Sequence, residues 1–106
     1  NLTFDTALMY TAVDRGQIDI ITAYTSDGRI DAYNLKIIAD PRNSLLPYDG
    51  MLIASASAAK NPLFLEIVGG LVNRISDETM REANRIVDVN GGSISDAVNY
   101  LRSMIR

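Results

Sequence analysis

The chain has 106 residues, 47 % of them hydrophobic, and a formal net charge of −3, which fits one domain or part of a larger one. It contains neither histidine nor cysteine, so a Ser-His-Asp triad, a thiol nucleophile, a disulfide and a metal held by histidine or thiolate all lie outside its chemistry. The acidic balance argues against nucleic acid, whose phosphates call for a basic face. No apolar run reaches the length of a bilayer span. Binding without bond-breaking is the expected activity, with no cofactor and no metal.

Residues 5–15 read as a helix with Leu8, Met9, Ala12 and Val13 on one face and Gly16 as its C-terminal cap. Residues 18–25 read as a strand, rich in β-branched and aromatic side chains, with Ile18, Ile20, Thr22 and Tyr24 sharing a face. Ser26, Asp27, Gly28 and Arg29 form a turn that can open a short helical segment. Residues 35–39 are a second strand candidate, and 40–44 carry turn chemistry. Pro47 makes 45–50 an irregular or edge segment, and 51–54 a third short strand. Residues 55–60 read as one short turn.

The rest is helical. Asn61-Pro62 is a helix start, with an apolar stripe running to Asn73. Ser76 is an N-cap candidate, flanked by Ile75 and Met80 as a hydrophobic staple, for a helix ending near Val87. Asn90-Gly91-Gly92 ends it, and Ser93 or Ser95 caps a last helix carrying Ile94, Ala97, Val98, Leu101, Met104 and Ile105 on one face. Few strands followed by three C-terminal helices point to α/β or α+β packing.

Several segments together resemble one family. The run from Ile18 through Tyr24 to Arg29, the Leu46-Pro47-Tyr48 element, and the stretch from Ile75 through Asn84 to Val89 are similar to successive parts of glycine betaine/choline-binding proteins of osmoprotectant ABC transporters. The resemblance covers nearly the whole chain and matches the C-terminal part of such proteins. It implies part of a two-lobed α/β periplasmic-binding-protein fold of type 2, with residues 1–47 ending the second lobe and 48–106 returning to the first. It further implies a fragment of a longer protein, on the periplasmic or extracellular face of the cytoplasmic membrane, with an ABC permease as partner. The missing N-terminal portion, or a homodimer formed by segment exchange, would complete it.

The ligand so implied is a quaternary ammonium ion. Such an ion donates no strong hydrogen bond, and its diffuse charge is met best by the negative faces of aromatic rings. In the family a box of tyrosines does this, and Tyr24 and Tyr48 match two of its positions. Thr25, Ser26 and Asp27 lie beside Tyr24 and are candidates for ligand hydrogen bonds or for holding the lobes; Asp27-Gly28 reads equally well as a capping turn. Arg29 and Arg42 carry the charge to grip a ligand carboxylate, yet match no family position. Tyr10, Tyr33 and Tyr100 fall outside the cage positions. Asp77, Glu78 and Glu82 suit the first turns of a helix, and neither Gly69-Gly70 nor Gly91-Gly92 has the context of a phosphate loop. The alternative function is a stand-alone interaction or assembly domain that keeps the fold without the solute site.

Overall fold

The structure is a computed structural model that describes residues 5–105. Among these residues five α-helices, α1 (Thr6–Asp14), α2 (Arg29–Ala32), α3 (Pro62–Gly69), α4 (Asp77–Asp88) and α5 (Ile94–Met104), and a 3-10 turn at Ala58–Lys60 follow one another.

Local chemistry sets the helix ends. Gly16 takes a left-handed φ of 67° after α1, which costs glycine no Cβ clash. Its N–H donates to the Val13 carbonyl at 3.1 Å and that of Gln17 to the Ala12 carbonyl at 2.9 Å, the paired bonds of a Schellman ending. Asn34 does the same for α2 at φ 52°, with the Leu35 N–H donating to Ile30 at 2.9 Å. Asn61 caps α3 by accepting from the N–H groups of Leu63 and Phe64. Ser76 caps α4 through the Thr79 N–H, and Ile75 and Met80 are both half-buried beside it.

At α5 the choice between two serines falls on Ser93. Its hydroxyl accepts from the Asp96 N–H at 3.2 Å, and the Asp96 carboxylate accepts from the Ser93 N–H at 2.8 Å. These reciprocal bonds satisfy two orphan donors at once.

α3 ends at Gly69, earlier than the apolar stripe predicts. Two successive glycines carry the poorest helix propensity after proline. The chain then tightens into three-residue turns, Leu71 to Val68 and Val72 to Gly69.

The strand part of the expected α/β character is not confirmed: among the described residues no segment forms a strand. Residues 18–24, 35–39 and 51–54 run irregularly or extended, and no backbone hydrogen bond joins them. A strand exists only with a neighbour about 4.7–4.9 Å away on its ladder, and side-chain alternation does not supply one. A groove of ≈ 680 Å³ is lined instead by 19–23 and 35–39, with Tyr10 and Ile30 also in its wall. Ile20, Ile38 and Ile53 remain exposed at 72 %, 71 % and 90 %.

The buried centre is correspondingly small: Tyr10, Ala12, Ile30, Ala83 and Ala97. Tyr10 is fully buried while Leu8 is exposed, so α1 is turned relative to the face its sequence predicts. α4 packs along α5. A Cβ at Gly92 would come within 2.8 Å of the Ile86 carbonyl oxygen, so only glycine admits the close turn between them. The radius of gyration is 16.9 Å, against about 13 Å for a compact domain of this length. Much apolar surface therefore finds no cover within the described residues.

Ser93→Ala is expected to lower the stability of the α5 region by about 1 kcal/mol. Urea unfolding followed by circular dichroism measures this, and an unchanged midpoint would contradict the cap.

Candidate ligand site

The segment from Tyr24 to Asp31 is a turn leading into α2. The Asp27 N–H donates to the Tyr24 carbonyl at 3.0 Å, and the Asp27 carboxylate accepts from the Arg29 N–H at 3.0 Å. Asp27 also lies 3.7 Å from the Arg29 guanidinium. That guanidinium sits 5.5 Å above the centre of the Tyr10 ring, and Tyr10 in turn stacks on Tyr33 at 5.9 Å. Arg29 is thus engaged by a carboxylate and an aromatic face within the chain, while Arg42 is exposed. The buried Tyr10 hydroxyl has no well-placed hydrogen-bond partner among the described residues. Burial, and next the Asp27 carboxylate, push its ionisation well above the ordinary tyrosine value.

α4 holds this turn from one side. Asp77, Arg81 and Asn84 stand at i, i+4 and i+7, so one stripe of the helix carries all three. The Thr25 hydroxyl donates to the Asp77 carboxylate. Arg81 donates to the Thr25 carbonyl at 2.6 Å and to the Asp31 carboxylate at 3.2 Å. The Asn84 amide donates to the Ser26 carbonyl at 2.8 Å. Gly28 lies directly against the helix: a Cβ there would meet the Arg85 backbone nitrogen at 2.5 Å. Its φ of −63° is open to any residue, so space rather than backbone freedom calls for glycine here.

The second ring arrives on the loop after 39. Asp40 accepts from the Leu45 N–H at 2.8 Å, closing the turn that leads through Leu46 and Pro47 to Tyr48. The Leu45 and Ser44 amides hold the Asp40 carboxyl below the usual carboxylate range. The Tyr24 and Tyr48 rings then lie 5.4 Å apart, centre to centre, and tilted by 59°. Both remain open to solvent, at 60 % and 82 %. The two tyrosines singled out in the sequence are therefore neighbours. Thr25 and Asp27 have their side chains committed within the chain. Sequence reasoning missed the α4 stripe; the polar 77, 81, 84 spacing was its only available signal.

Residues 3–101 match the family described as the substrate binding domain of ABC-type glycine betaine transport system, and the chain belongs to that family, which is non-enzymatic and has the periplasmic-binding-protein fold. The carnitine transport binding protein OpuCC of Listeria monocytogenes is 35 % identical over 82 residues, 76 % of this chain and 27 % of that protein. The ergothioneine transport permease/ergothioneine binding protein EgtU of Helicobacter pylori is 30 % identical over 86 residues, 80 % of this chain and 16 % of that protein. A glycine-betaine-binding protein of Pseudomonas aeruginosa is 27 % identical over 86 residues, 80 % of this chain and 28 % of that protein. The chain thus spans little more than a quarter of the length of these relatives at most.

Because the folded Asp40 carboxyl ionises below the ordinary value, its hold on the loop is complete above the ordinary carboxylate range. That hold is lost as pH falls through the lowered value. The Leu45 amide proton shift is expected to titrate with a midpoint below that of free aspartate; a midpoint at or above it would contradict the contact.

Proposed function

We propose that this chain supplies part of the binding site for a small quaternary-ammonium solute (glycine betaine, choline, carnitine or a related cation) in a protein that delivers it to an ABC permease outside the cytoplasmic membrane. The observation that carries the reading is the Tyr24–Tyr48 pair: two exposed aromatic faces 5.4 Å apart, angled rather than parallel, as two walls of a cage. Tyr24 falls in 1–47 and Tyr48 in 48–106, so in a two-lobed protein divided there each lobe contributes one ring. Thr25 and Asp27 serve the site by shaping the turn that bears Tyr24.

Magnitudes limit what this chain does alone. Two cation–π contacts supply about 1–4 kcal/mol, whereas a micromolar dissociation constant requires about 8 kcal/mol. The isolated chain is expected to bind choline with a dissociation constant of about 1 mM or weaker. Tyr24→Phe and Tyr48→Phe, which keep the rings, should bind as the parent does. Tyr24→Ala and Tyr48→Ala should weaken binding about 2- to 30-fold each. Titration with choline and with its neutral tert-butyl analogue, 3,3-dimethylbutanol, tests the reading. Equal binding of the two would contradict a cation site.

The uncovered apolar residues of α3 and of 45–53 are completed, on this reading, by further segments of a longer polypeptide or by a second copy exchanging its N-terminal unit. Light scattering on the 106-residue chain is expected to give a dimer; a monomer at high concentration would contradict the exchange.

A further inference from the structure

We infer that Arg81, assisted by Asp77 and Asn84, is the positioning element that fixes Tyr24 at its distance from Tyr48, so that α4 sets the width of the cage without touching the solute.

Tyr24 is poorly held from its other sides. Residues 18–23 make no backbone hydrogen bonds among the described residues, and the Tyr24 ring, 60 % exposed, has the Tyr48 ring as its aromatic neighbour. The restraint on Tyr24 therefore comes from the peptide that follows it. The Thr25 carbonyl accepts from Arg81 at 2.6 Å, and the Ser26 carbonyl accepts from Asn84 at 2.8 Å. The Thr25 hydroxyl is taken by Asp77. Two successive carbonyls and one hydroxyl, immediately beyond Tyr24, thus end on one face of one helix.

Arg81 is the strongest of the three. Its side chain is only 14 % exposed, and its planar guanidinium presents several donors in a fixed fork. Half-buried charge must be partnered, and charge-assisted bonds are the shorter and stronger kind. Asp31 fixes the second arm of the fork at 3.2 Å, so the guanidinium is held in one orientation by two acceptors six residues apart in the turn. Gly28 removes the remaining slack, since nothing larger fits between the turn and the Arg85 backbone. α4 itself is anchored by its Ser76 cap and by α5. The Glu82–Arg85 pair, 2.7 Å apart on the same helix, makes no such bond to the turn and provides the control.

The consequence for affinity rests on the cation-cage reading; the positioning itself does not. The experiment uses the 106-residue chain and reads nuclear Overhauser contacts between the Tyr24 and Tyr48 ring protons, alongside helical circular dichroism and choline affinity. The parent is expected to show the ring contact and Glu82→Gln to keep it. Arg81→Ala should lose it while remaining helical, with choline binding weakened about 10-fold. Arg81→Lys, which can serve one acceptor, should recover part of the contact. A ring contact that persists in helical Arg81→Ala overturns the inference. So does its loss in Glu82→Gln, or its absence from the parent. If Arg81→Ala fails to fold, Thr25→Val and Asn84→Ala decide: loss of the contact in either supports the inference, and persistence in both overturns it. A parent that shows the contact but binds no choline would remove the cage reading and leave the positioning claim intact.

Discussion

The guanidinium of Arg81 joins two stretches of chain 56 residues apart, and the geometry of the candidate site follows from that junction. On one side stands α4, a twelve-residue helix with a serine cap and α5 packed along it. On the other is a turn whose preceding segment has no ladder to hold it. The helix provides the firmer support and the turn carries the candidate ring of Tyr24. Elements that carry binding side chains are commonly loops fixed by a firmer scaffold, and here the fixing is polar: one charged fork, one amide and one hydroxyl.

On the proposed reading, the solute chemistry makes such positioning worthwhile. A quaternary ammonium ion offers no directional bond, so a site for it depends on how many ring faces reach the cation and at what angle. The Tyr24 and Tyr48 rings lie 5.4 Å apart and tilted by 59°, close enough for one cation to reach both on the proposed reading. Tyr10 already shows the same preference inside the chain, with the Arg29 guanidinium over its ring. Two walls still leave most of a cation in water. The isoleucines of the extended segments stay uncovered among the described residues.

Helices were legible in the sequence because their ends are written in local chemistry. Gly16, Asn61-Pro62, Ser76 and Ser93 (one of the two serines the sequence offered) each act within a few residues, and each does in the structure what its type predicts. Strands were not legible in the same sense. Isoleucine-rich alternation at 18–24 and 35–39 records a tendency, while the ladder itself needs a neighbour that no local pattern specifies. The sequence also named the two tyrosines, through resemblance rather than periodicity. What brings them near each other is a set of contacts 52 to 58 residues apart, together with the Asp40 loop, and separation of that size leaves only a faint trace in spacing: polar residues at 77, 81 and 84 along one helix face. The burial of Tyr10 left no local trace either, since the buried face of α1 depends on Arg29 and Tyr33 packed against that ring.

The central claim is that Tyr24 and Tyr48 together face a bound cation. Intermolecular Overhauser contacts from the N-methyl protons of choline, at saturating concentration, to the ring protons of both residues test it most directly. The account predicts contacts to both rings from the same methyl resonance, with upfield shifts of that resonance as it enters the ring currents. Contacts to neither ring, or to other residues while both tyrosines remain unperturbed, would contradict it.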